Sequence, residues 1–143
     1  MTNLQAAVGL AQLERLDEFV TRKRRMGARY TELLSGVPGI ELPLQRTDYA
    51  ENIYWVYGLV TDDSKDIGAE RAIGELAARG VGCRAFFCPM DQQPALRNFG
   101  LFRGVAYPEA DRLYRQGFYI PSGLAMIDEQ VDRVVECVKD VMR

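Results

Sequence analysis

Few side chains in this chain could carry chemistry, and the first fact about them is a lack: none of the 143 residues is histidine. That removes Ser-His-Asp and Cys-His nucleophilic catalysis, and any mixed Cys/His zinc site. Only three side chains are amines, Lys23, Lys65 and Lys139. Lys23 falls inside the basic run Arg22-Lys23-Arg24-Arg25, Lys65 in a turn, and Lys139 on the polar side of a helix. None is expected in an apolar pocket that would depress its pKa for Schiff-base chemistry. Cys83, Cys88 and Cys137 make an odd count. They fit structural, half-buried thiols in a reducing compartment better than a disulfide framework.

The most informative segment is Val81 to Cys88. Written as one extended strand, it places Val81, Cys83, Ala85 and Phe87 on one face and Gly82, Arg84, Phe86 and Cys88 on the other. The first set is a plain core face. The second sets a cation beside an aromatic ring, which a buried face tolerates only when something pairs with the guanidinium. Tyr54, Trp55 and Tyr57 lie in another β-rich run. They admit a ligand-stacking platform, but three aromatics in a central strand favour core and interface packing. Tyr107, Tyr114 and Tyr119 are read the same way.

Helices and strands must position these groups. Asn3 to Leu34 reads as one long helix, with Leu4, Val8, Ala11, then Leu16, Phe19 or Val20, then Met26, Tyr30, Leu33 and Leu34 at mostly three- and four-residue steps. Thr2 or Asn3 caps its start, and Ser35, Gly36, Pro38 and Gly39 stop it. Its first half is apolar on more than one side and demands partners on several sides. The basic run reads as a solvated face, since Asp17, Glu18 and Glu32 lie nearby. Ile40, Leu42 and Leu44 alternate around Pro43, an edge strand. Ile53 to Val60 reads as a central strand and Asp62-Asp63-Ser64 as the following turn. A helix from Ile67 to Arg79 points Ile67, Ile73, Leu76 and Ala77 inward and stops at Gly80. Pro89 to Gly104 is irregular. A short helix, Pro108 to Arg115, precedes a strand, Phe118 to Ile120. A final helix from Asp128 buries Val131, Val134, Val135, Val138, Val141 and Met142.

Composition bounds the rest. With 48% hydrophobic and 27% charged residues the chain has the makeup of a globular protein, and its length suits one domain. Charges sum to 18 basic minus 20 acidic, or −2, so nucleic-acid binding has no electrostatic footprint. No apolar run approaches the roughly 18 residues of a membrane helix. Glu14, Arg15, Asp17 and Glu18 interrupt the first twenty residues, unlike a secretory signal. The expectation is a cytoplasmic, two-layer α+β domain of three or four strands with helices over one face.

Four stretches then look familiar together: MTNLQAAVGLAQLERLDEFVTRKR at the start, NIYWVYGLV at 52–60, RAFFCPMDQQPAL at 84–96 and YPEADRLYRQGFYIPSG at 107–123. In order and spacing they resemble the C-terminal small domain of the DegT/StrS-type sugar-nucleotide aminotransferases. The FF-x-P segment and the tryptophan-bearing strand most resemble the perosamine-synthase branch, which aminates a nucleotide-linked 4-keto-6-deoxy sugar. The resemblance implies the small domain of the aspartate-aminotransferase fold: a short, mostly antiparallel sheet covered by helices. A long interdomain helix would span residues 1–35 and the small α+β domain 36–143.

In that family pyridoxal phosphate sits in a large N-terminal domain, which supplies the Schiff-base lysine, the aspartate facing the pyridine nitrogen and the phosphate-holding residues. The resemblance therefore implies that this chain alone holds no coenzyme, has no catalytic or metal residue and is inactive. The implied partners are that missing domain, or a homodimer partner through the first helix, and a nucleotide-sugar substrate. Implied substrate-binding residues are Arg84, Phe86 and Asp91. Arg84 would pair with a phosphate or carboxylate and Phe86 would stack on a base or sugar ring. The equal alternative is that Arg84 pairs with an acid of the missing domain and Phe86 is interface packing. Asp91 stands where many relatives have histidine, and a carboxylate offers no neutral donor at pH 7 unless its pKa is raised. A stand-alone α+β binding or dimerisation module without catalysis is the rival class.

Overall fold

The structure, a computed structural model, describes residues 1–62 and 67–143. Four short strands, β1 (Ile40–Glu41), β2 (Tyr57–Thr61), β3 (Arg84–Ala85) and β4 (Gly117–Ile120), form one antiparallel sheet in the order β1-β2-β4-β3. The α+β expectation holds, and the central pair sets the core. Tyr57 lies opposite Ile120 and Leu59 opposite Phe118, and all four are buried. Onto them pack Tyr30 and Leu34 of α2 (Leu16–Leu34), Ala69, Ala72 and Leu76 of α3 (Ala69–Ala78), and the valine stripe of α6 (Asp128–Val141). Each buried leucine or valine among them contributes about 1.5–3 kcal/mol by leaving water, the alanines less. The stripe in α6 is the expected one, with Cys137 added.

The opening helix is two helices, not one. α1 (Asn3–Leu13) starts at a reciprocal cap in which Gln5 N donates 3.3 Å to Thr2 Oγ1 and Thr2 N donates 2.8 Å to Gln5 Oε1. The break falls at Arg15, whose φ of −109° and ψ of 10° leave the helical region. It sits in the five-residue gap between Ala11 and Leu16, a step that no single helical face accommodates. No residue of α1 is buried.

The strands are shorter than their patterns. β1 ends before Pro43, which has no N–H to give a ladder. β2 starts at Tyr57 rather than Ile53, because Asn52 Oδ1 accepts from Tyr54 N at 2.7 Å and Tyr54 takes a left-handed φ of 51°. The strand expected over 81–88 pairs only at Arg84 and Ala85. In α3 the buried positions are Ala69, Ala72 and Leu76, while Ala77 is exposed, correcting its inward assignment. The irregular stretch after Pro89 contains a 3-10 turn, Met90–Gln92, and α4 (Pro94–Asn98) with proline in its first turn. α5 (Pro108–Gln116) leads directly into β4. Of the expected turn, Asp63 and Ser64 lie outside the described residues, as does Lys65.

The basic run is only partly a solvated face: Arg22 and Arg25 are exposed, Lys23 and Arg24 half-buried, and all four side chains are partnered. Lys23 Nζ donates to the carbonyl of Trp55 at 3.0 Å and to that of Ser122. Arg22 donates 2.7 Å to Leu124 O, Arg24 pairs with Glu51 at 3.3 Å, and Arg25 with Asp128 at 2.6 Å. One turn on, Arg29 forks onto Asp132 at 2.9 and 2.6 Å, and Tyr30 OH donates 2.8 Å to Pro121 O. These bonds tie α2 to segments 51–55 and 121–124 and to α6. Their partners lie up to about a hundred residues away in sequence, so local charge patterning could not reveal them.

Candidate functional site

The alternate positions of the central strands, Gly58 on β2 and Gly117 and Tyr119 on β4, face away from the buried set. Arg84 joins that face, opposite Tyr119 in register. Phe86, just past β3, donates its N–H 3.0 Å to Gly117 O. Its ring lies across both glycines. A Cβ on Gly58 would come within 2.8 Å of Phe86 Cζ, and one on Gly117 would collide with the same ring and with the Leu113 carbonyl. Tyr119 packs on Phe86 with centroids 4.5 Å apart. Two glycines thus exist where they do so that an aromatic ring can lie flat on the sheet.

Arg84 and Phe86 share this face, as expected. Phe87 and Ala85, expected in the core, do not reach it. The core on this segment ends with Val81 and the partly buried Cys83, and Phe87 is 61% exposed. The reason is that β3 is a two-residue strand at the edge of the sheet, so its core-side positions lie at the margin of the core rather than within it. The Arg84 guanidinium stands 5.3 Å from the centroid of the Phe87 ring, and Phe87 lies 6.3 Å from Tyr119. No carboxylate among the described residues lies within 4.0 Å of Arg84, in contrast to the forked pairs of Arg29 and Arg112.

Asp91 is elsewhere. It sits in the 3-10 turn, where its backbone carbonyl accepts 2.7 Å from Arg97 Nε. With Arg97, Leu101, Phe102, Arg103 and Val105 it lines a separate cavity of about 330 Å³. Gln93 Nε2 to Cys88 O at 3.1 Å and Gln92 Nε2 to Asp111 at 2.7 Å hold this segment against α5. The arrangement therefore unites Arg84 with Phe86 on one sheet face, while Asp91 lines a cavity to which neither contributes.

Tyr54 and Tyr57 stack 5.7 Å apart beneath Tyr30, in the core. Burial pushes the Tyr57 hydroxyl up to about 12, opposed by its 2.8 Å hydrogen bond with Thr31. Trp55 is exposed. Burial pushes the Cys83 thiol up to about 11, which leaves it a poor nucleophile. No group of three His, Cys, Asp or Glu among the described residues could hold a metal ion.

Covalent attachment of pyridoxal phosphate needs an available amine. Burial does lower the Lys23 pKa, correcting the expectation that no lysine is so perturbed. Yet Lys23 commits two donors to backbone carbonyls, and Lys139 is half-buried on α6. Lys23, held by both carbonyls, does not fit the coenzyme as a free amine.

Residues 1–139 match the sequence profile of the DegT/DnrJ/EryC1/StrS aminotransferase family. The chain belongs to that family. Among its relatives, the GDP-perosamine synthase of Vibrio cholerae is 29% identical over 98% of this chain, and SpsC, a spore coat polysaccharide biosynthesis protein of Bacillus subtilis, is 29% identical over all of it. The chain spans 37% of the length of each. In structure, Spr1654 of Streptococcus pneumoniae in its PLP-form superposes with a TM-score of 0.88 at 26% identity, covering 99% of this chain and 36% of that one. This DegT-family chain thus carries the α+β fold of sugar aminotransferases while matching about a third of their length. No described helix is long and apolar enough to cross a membrane.

Proposed function

We propose that this chain is the C-terminal small domain of a pyridoxal-phosphate-dependent aminotransferase acting on a nucleotide-linked keto-deoxy sugar of the perosamine type, and that it is inactive alone. The observation that carries the reading is the family match over residues 1–139 at little more than a third of its relatives' length. A large N-terminal domain would supply the coenzyme, its lysine and the chemistry of amino transfer. This chain would supply one wall of the substrate cleft, in the cytoplasm. Arg84 offers an unneutralised guanidinium for a phosphate, and Phe86, laid flat on Gly58 and Gly117, forms the rigid floor beside it. Asp91 would border the same cleft from its own cavity. In this reading residues 1–35 join the two domains and residues 36–143 form the small one, with the polar ties of α2 to 121–132 supporting its packing on the small domain.

A chimera tests this reading. Replacing the matching third of the Vibrio cholerae GDP-perosamine synthase with this chain should restore amino transfer from glutamate. A folded, coenzyme-loaded chimera without turnover would contradict it.

One observation favours a second reading. Leu4, Val8, Leu10 and Leu13 of α1 are all exposed, which suits a dimerisation module that has kept the fold without the chemistry. Sedimentation separates the two: a monomer at high concentration argues against an interaction role for α1 by itself.

A further inference from the structure

We infer that Phe87 and Arg84 together form the recognition pair of this surface, the ring taking the base of a nucleoside diphosphate and the guanidinium taking its phosphates. The inference rests on the reading of this face as a wall of the nucleotide-sugar cleft. It assigns the stacking role there to a residue that the sequence pattern puts in the core.

Phe86 has one ring face spent on the sheet. It lies against Gly58 and Gly117 with Tyr119 at 4.5 Å, so it works as floor. Phe87 is the ring that remains available, 61% exposed on the same edge. Its neighbour decides what it suits. A guanidinium set over an aromatic ring keeps its in-plane N–H donors free, in the fork that matches phosphate oxygens. At 5.3 Å from the Phe87 centroid, and with no carboxylate within 4.0 Å among the described residues, Arg84 has both the ring and the free charge. The pair is complementary to a ligand that is aromatic and anionic at once. Inorganic phosphate lacks the ring, and a nucleoside lacks the charge. Tyr119 stands opposite Arg84 in register and 6.3 Å from the Phe87 centroid, so it orients the pair before any ligand arrives, which spares part of the ordering cost of binding.

Titration of the 143-residue chain with GDP, followed by NMR at the Arg84 side-chain Nε–H and the Phe87 amide, tests the pair. GDP should shift both signals and saturate in the millimolar range, with pyrophosphate and guanosine each weaker. Phe87→Leu should weaken GDP at least fivefold, the low end of base–aromatic stacking, and Arg84→Gln should abolish the response to pyrophosphate. Both side chains are exposed, so both variants should keep the dispersed spectrum of the parent. Phe99→Leu, an exposed ring elsewhere, should change affinity less than twofold. If Arg84→Gln weakens GDP and Phe87→Leu does not, the pair is wrong and the phosphate-wall reading stands. If GDP moves neither signal at tens of millimolar, or pyrophosphate binds as well as GDP, the inference is overturned. Turnover of the chimera is scored separately and tells whether the wider reading falls with it.

Discussion

Phe86 occupies the space that a side chain at Gly117 would fill, and its own N–H donates 3.0 Å to that glycine's carbonyl. A methyl at position 117 must therefore displace either the ring or the backbone carbonyl of Leu113, and the second is not free to move. Gly117→Ala should cost about 1–3 kcal/mol, the usual range for overpacking. Gly74 makes the contrast: it lies in the middle of α3 with nothing near its absent Cβ, so Gly74→Ala should stabilise by roughly 0.5–1 kcal/mol. Urea unfolding of both variants checks the pair. Equal effects would mean that Phe86 is not seated as described.

The tie at Lys23 makes a second prediction. Lys23→Met leaves the Trp55 and Ser122 carbonyls without their donor, and a lost partner for a part-buried acceptor costs about 1–3 kcal/mol. Arg25→Ala removes only an exposed pair with Asp128, worth about 0–1 kcal/mol. Thermal unfolding should rank them in that order; the reverse ranking would return the basic run to the solvent.

α1 makes a third. It buries nothing, and an isolated helix of 11 residues is marginal in water. Its amides should exchange with deuterium close to unprotected rates, while those of Gly27 to Leu34 in α2 are protected. Deleting residues 1–13 should change stability by less than about 0.5 kcal/mol. Protection of α1 equal to that of α2 at low concentration would show that it is held within the chain.

Alkaline pH supplies a fourth. Burial raises the acid pKa of Cys83 from 9.0 to about 11 and that of Tyr57 from 10.0 to about 12. Both groups are neutral when protonated, so the fold favours the protonated form. The stability they contribute is complete below about pH 9 and is lost as pH climbs through 11 and 12. Cys83→Ala and Tyr57→Phe should each flatten that decline. A stability that increases from pH 9 to 11 would contradict the burial of these groups.

How much of this was legible in the sequence depends on the range of the interaction. The valine stripe of α6, the cap at Thr2 and the shared face of Arg84 and Phe86 follow from periodicity within a few residues, and each is present. Phe87 falls on the core side by alternation, but it lies just past a two-residue edge strand, a position that only the strand order reveals. The division of the opening helix coincides with the Ala11–Leu16 step, the one place where its apolar pattern skips a turn near the chain start. Lys23 was out of reach, since its acceptors Trp55 and Ser122 come together only in the folded chain. The placing of Asp91 in the cavity with Arg97 and Arg103 likewise depends on how the Pro89–Gly104 segment turns, and nothing in its composition fixes that.

The central claim is that these residues shape a substrate wall and leave the coenzyme to another domain. Adding pyridoxal phosphate to the purified 143-residue chain and recording the visible spectrum addresses it most directly. The expected result is the spectrum of free pyridoxal phosphate, unchanged by Lys23→Met or Lys139→Met. A stoichiometric Schiff-base band near the yellow region that substitution of any one of the three lysines abolishes would contradict it.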